Sequence, residues 1–155
     1  MTKIDFDNSG FKIVKGALED AFKTRVGILG SKASASHGDG MTNVQIGTIH
    51  EFGSITRNIP ARSFLRMPLE EHVWEWVKKN KDKYNRLLET GSLEKWYAAL
   101  GFEAERIVDE AFSSSGYGRW QKLKPQTIKR KGSSMPLIDT GQLRASISSQ
   151  VINDK

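Results

Sequence analysis

Residues 68–111 read PLEEHVWEWVKKNKDKYNRLLETGSLEKWYAALGFEAERIVDEA, and their periodicity decides the fold class. Leu69, Val73, Trp76, Val77, Tyr84, Leu87 and Leu88 mark one stripe along a long helix. Pro68 suits its first turn, where the missing N–H would be unpaired anyway, and Thr90-Gly91 suits its end. Ser92 then caps a second helix through Leu93, Trp96, Tyr97, Leu100, Ala104, Ile107, Val108 and Ala111. Joined by Thr90-Gly91-Ser92 alone, the two amphipathic helices pack as an antiparallel pair and form the core. The other face of the first helix carries Lys78, Lys79, Lys81, Lys83 and Arg86 and reads as solvated. Trp74 lies off the apolar stripe, so it is a candidate for a subunit interface.

Working outward towards the amino terminus, Ile59-Pro60-Ala61-Arg62 is an extended approach fixed by its proline. Residues 42–52 support two readings. Val44, Ile46 and Thr48 alternate as a strand would, whereas Thr42 as cap with Val44, Gly47, Ile49 and Phe52 makes a helix closed by Gly53. Residues 30–41 are small and polar without apolar periodicity, a flexible loop. Val26 and Ile28 alternate with Arg25 and Gly27, which predicts a strand over 24–29. Ile4 and Phe6 predict another near 3–6, and Ser9 caps a helix through Phe11, Val14, Leu18, Ala21 and Phe22. With a final strand over 146–152 and one near 55–58, the expected class is α+β: a single domain over 1–155, with a small antiparallel sheet packed against two long amphipathic helices.

Beyond the helix pair the chemistry changes. Ser113 to Gly118 breaks the helix, and Lys122, Lys124, Lys129, Arg130 and Lys131 follow within ten residues, with Arg119 just upstream. No Asp or Glu occurs between Glu110 and Asp139, and these six cations equal the whole net charge of +6. Such a field attracts phosphate or an acidic protein surface, or merely keeps a solvated loop soluble. At its far end, the Asp139 or Thr140 side chain can cap a short helical turn through Gln142, Leu143 and Arg144 after Gly141.

At 155 residues the chain is large enough for one core but too small for two enzyme-sized lobes. The hydrophobic fraction of 37% and a mean hydropathy of -0.50 predict a soluble protein whose apolar faces need partners. Absence of cysteine excludes disulfides and thiol catalysis and is compatible with a cytoplasmic origin. Met1-Thr2-Lys3-Ile4-Asp5 contains no apolar signal region, and no run is long enough to span a bilayer. His50-Glu51 invites a metalloprotease reading, but that motif needs a second His three residues past the Glu, and position 54 is Ser. The two residues read instead as a local hydrogen-bonded pair. His37, His50 and His72 lack metal-ligand spacing and no nucleophile has a positioned base, so no cofactor, metal or enzymatic activity is expected.

Two blocks carry a resemblance. His50-Glu51-Phe52-Gly53 followed by Ile59-Pro60-Ala61-Arg62-Ser63-Phe64-Leu65 is one; Trp120, Leu123, Thr127 and Lys131 followed by Pro136-Leu137-Ile138-Asp139-Thr140-Gly141, Leu143 and Ser146-Ile147 is the other. In this order they resemble the signatures of tail-completion and head-to-tail joining (neck) proteins of long-tailed double-stranded DNA bacteriophages and prophages, over roughly residues 24–150. The resemblance favours the helical reading of 42–52. It implies a non-enzymatic virion protein that forms a ring, typically of six subunits, between the tail tube or tail terminator and the head-side connector. It also implies assembly in the host cytoplasm. In that setting Lys122, Lys124, Lys129, Arg130 and Lys131 would face DNA in the central channel or an acidic surface on the next ring, and Phe64, Trp74 and Trp120 would anchor subunit contacts. The alternative is a basic module contacting DNA phosphates with no virion involved, although the segment lacks the recognition-helix or aromatic-platform pattern of base readers.

Overall fold

Why the helix pair dominates is visible in a computed structural model of the protein, which describes residues 22–36 and 40–153. In chain order these form β1 (Phe22–Ile28), α1 (Ser31–Ser34), α2 (Asn43–Phe52), α3 (Arg66–Lys79), α4 (Lys81–Glu89), α5 (Leu93–Ser113), α6 (Pro125–Lys131), α7 (Gln142–Ala145) and β2 (Ile147–Asn153). The class is α+β, as the periodicity predicts. Helix α5 is the central element: Trp96, Ala104, Ile107, Val108, Ala111 and Phe112 are buried along one face. Phe112 and Val108 join Phe64, Trp120 and Leu143 in the core, so both blocks that carry the resemblance contribute to it.

Strands β1 and β2 pair antiparallel, from Phe22 opposite Asn153 to Ile28 opposite Ile147. Their ladder lies against α5 at Gly101, where a side chain would stand 2.6 Å from Ser149 Oγ. Glycine there lets helix and sheet approach, and Thr24 Oγ1 donates to the Tyr97 carbonyl at 2.7 Å beside it.

Four expectations need correction. The helix expected from Pro68 to Thr90 breaks at Asn80, whose side-chain amide donates to the Trp76 carbonyl at 2.9 Å and competes with the helical ladder. Both halves still face α5, with the Trp76 and Tyr84 rings 4.9 and 5.3 Å from that of Trp96. Residues 55–58 are a turn, because Ser54 and Ile59 bridge across them and leave no partner strand. The described part of 30–41 is not a featureless loop: it contains α1, and Ser36 bridges Thr42. Phe22 opens β1 rather than closing a helix; the strand near 3–6 and the helix from Ser9 lie outside the described residues. The helical reading of 42–52 is the observed one. Thr42 Oγ1 accepts from Gln45 N at 3.3 Å while Gln45 Oε1 accepts from Thr42 N at 2.9 Å, a reciprocal capping box.

Candidate partner-binding groove

The site grows from Glu51. Its carboxylate is buried at the end of α2 and accepts from Ser63 Oγ (2.6 Å) and from the backbone N–H groups of Phe64, Leu65 and Arg66 (2.9, 3.0 and 3.1 Å). These are the unpaired donors at the start of α3, so one side chain caps a helix more than ten residues downstream. Glu51 and His50 are therefore not a mutually bonded pair: Glu51 serves the next helix, and the buried Nδ1 of His50 has no hydrogen-bond partner. Burial, then the neighbouring charges of Arg62 and Lys131, push the His50 imidazole down to about 4, so it is neutral at physiological pH.

Between Glu51 and Ser63 the chain makes a tight excursion. Gly53 turns it with φ 78° and ψ 176°, and a side chain there would stand 2.8 Å from Ala61 N. Ser54 and Ile59 exchange backbone hydrogen bonds of 2.8 and 2.9 Å, which holds the 54–59 turn against the Pro60-Ala61 return. Arg62 follows with 6% exposure, and its Nε and Nη2 both donate to the Gln121 carbonyl at 3.0 and 2.9 Å. Next to it, Trp120 Nε1 donates to the Ser63 carbonyl at 3.1 Å. Two segments about sixty residues apart in sequence are thus bolted together.

Their junction leaves a groove of about 1090 Å³. Its walls include Phe52, Ile55, Arg57, Arg62, Lys124 and Arg130, with Lys122 on the same strap, and no carboxylate lines it. A smaller hollow of about 390 Å³ shares His50, Arg57, Arg62 and Arg130 with it and adds Lys131 and Asp139. Arg57, Arg62, Lys122, Lys124 and Arg130 form no ion pair among the described residues, so the groove is uniformly positive.

The cations named from sequence divide accordingly. Lys122, Lys124 and Arg130 line the groove and are exposed, whereas Lys129 is exposed beside it. Lys131 is half-buried and donates from Nζ to the Met135 carbonyl at 2.7 Å; burial leads in lowering its pKa, with Asp139 opposing and Arg62 adding to the fall. Arg119 is neutralised by Glu71, which corrects the expectation that all six cations lack a counter-charge.

Of the three aromatic residues named for subunit contacts, only Trp74 has an open face, at 66% exposure. Phe64 and Trp120 are buried in the core, where the Phe64 ring lies tilted 5.3 Å from that of Phe112 and Trp120 meets Phe112 edge-on at 6.0 Å. At the Asp139-Thr140-Gly141 corner, Thr140 Oγ1 accepts from Gln142 N at 3.3 Å, and Leu143 drops into the core. Arg144 locks that corner to α5 through Asp109 (2.5 and 2.6 Å). Sequence reading missed Arg57, Ile55, Gln121 and Arg144. Only the first pair had a sequence signal, an apolar residue and a cation inside a turn-like Ser-Ile-Thr-Arg-Asn run.

No group of His, Asp and Glu able to hold a metal occurs among the described residues, and none of their helices is long and apolar enough to cross a membrane. Comparison with protein-family models, with characterised proteins and with solved structures finds no match to this chain.

Proposed function

We propose that this chain is a structural subunit of a phage tail-completion and head-to-tail joining ring, without catalytic activity. One observation carries the reading: the two blocks behind the resemblance, 50–65 and 120–147, meet as one body. Arg62 holds Gln121, Trp120 holds Ser63, and Phe64 packs with Leu143 in the same core. Two blocks distant in sequence thus build one scaffold, and that scaffold supports a positively charged surface. In a joining ring this surface meets a neighbouring ring or the DNA of the channel, and Trp74 lies towards other copies.

The decisive experiment images particles produced without this protein, expecting full heads beside separate tails. Normal infectious particles would end the reading. In complementation, Lys124→Glu with Lys129→Glu and Arg130→Glu should block joining while the subunit folds, since all three side chains are exposed. Lys131 is left out of that set because it is tied to Met135. A basic DNA-binding module is the competing reading, supported by the same carboxylate-free surface; it predicts tight duplex binding that falls steeply with salt, by a monomer indifferent to head and tail components.

A further inference from the structure

We propose that the groove between the 52–62 turn and the 121–130 strap takes an extended acidic segment of a partner protein, one that sets apolar side chains between its carboxylates. The groove offers two chemistries at once. Its cations have no counter-charge among the described residues, and Arg62 is held in a fixed pose by Gln121. On the same walls stand two apolar side chains that the fold leaves to solvent: Phe52 is 69% exposed and Ile55 fully so. An isoleucine at the tip of a turn contributes nothing to the core.

The turn is also built to hold its shape. Besides the Ser54–Ile59 bridge, Ser54 Oγ lies 3.2 Å from Thr56 Oγ1 and accepts from Arg57 N at 3.3 Å, and Arg57 Nη1 reaches Met41 Sδ at 3.1 Å. Ile55 and Arg57 are therefore presented in a fixed relation, which lowers the ordering cost of binding. A phosphate backbone would engage the cations and leave Phe52 and Ile55 without a partner, whereas an acidic segment with apolar residues satisfies both. A concave groove also suits an extended chain better than the convex surface of a duplex.

This gives the joining-ring reading its partner chemistry, and rests on that reading only for where the partner resides. The test uses the full chain and fluorescence anisotropy at physiological salt with four labelled probes: a peptide alternating Glu with Leu, one alternating Glu with Ser, a DNA duplex and a single-stranded oligonucleotide. The Glu-Leu peptide should bind roughly tenfold or more tighter than the Glu-Ser peptide, the expected effect of partly burying apolar side chains. Phe52→Ser combined with Ile55→Ser should erase that difference, and Lys122→Glu with Lys124→Glu and Arg130→Glu should abolish binding of both peptides. Unchanged circular dichroism would establish that these variants fold. Equal binding of the two peptides, no binding of either, or tighter binding of either oligonucleotide would overturn the proposal. Normal particles formed without the protein would sink the ring reading and leave the peptide result standing; separated heads and tails with no peptide binding would do the reverse.

Discussion

The carboxylate of Glu51 and the hydroxyl of Ser63 lie 2.6 Å apart across twelve residues of sequence. The same carboxylate takes three backbone N–H groups at the start of α3, so a buried side chain satisfies the unpaired donors of a helix end. Glu51→Ala would strand these donors in a buried site and should cost about 3 kcal/mol; Glu51→Gln keeps one acceptor oxygen and should cost about half as much. Urea denaturation of the two variants measures this. A loss below about 0.5 kcal/mol for Glu51→Ala would make the cap dispensable.

Two tryptophans should respond very differently to truncation. Trp120 is wedged between Phe112 and Gly116, with its indole nitrogen bonded to Ser63. Trp120→Ala should destabilise by about 3–5 kcal/mol and Trp120→Phe by about 1–2 kcal/mol, the latter through loss of volume and of the hydrogen bond. Trp74→Ala should fall within about 0.5 kcal/mol of the parent, because its ring lies mostly in water. Denaturant midpoints distinguish the pair, and equal losses would contradict their placement.

That contrast marks where sequence reading stops. Periodicity located α5 and β1, because burial on one face leaves a repeating trace, whereas 42–52 carried both a strand and a helix pattern and its helical reading rested on the resemblance. Periodicity also placed Trp74 off the apolar stripe, but it said nothing of Trp120, which sits outside any periodic run and whose burial only the tertiary fold decides. The break at Asn80 was equally hidden: the apolar stripe runs across it, and the local competitor is a single side-chain amide. The basic segment was legible from composition, but the groove was not. Half of the groove is the 52–62 turn, brought to the strap by a contact between Arg62 and a backbone carbonyl that has no sequence signature.

Glycine at position 53 is required on two grounds. Its φ of 78° with ψ of 176° lies in a region open essentially to glycine alone, and a side chain would press on Ala61 N. Gly53→Ala should cost at least about 2 kcal/mol. Gly132 is the control: it is left-handed at φ 71° but has open space around it, so Gly132→Ala should cost only about 1 kcal/mol of backbone strain. If thermal or urea unfolding ranked the two variants the other way, the close crossing of the 54–59 turn would be refuted.

His50 makes the protein sensitive to mild acid. Its ordinary value of 6.5 falls to about 4 on folding, through burial first and then Arg62 and Lys131. Between those values the unfolded chain binds a proton that the folded chain refuses. Stability from this residue is therefore complete above about pH 6.5 and is lost as pH falls towards 4, by up to roughly 3 kcal/mol. Asp109, lowered from 3.8 chiefly by its hydrogen bond to Arg144, gives up its contribution only below that value. Urea midpoints compared at neutral pH and at about pH 5 should show a marked fall for the parent chain and a nearly flat response for His50→Gln, which carries no titrating proton. A variant that kept the full acid sensitivity would assign it to some group other than this imidazole.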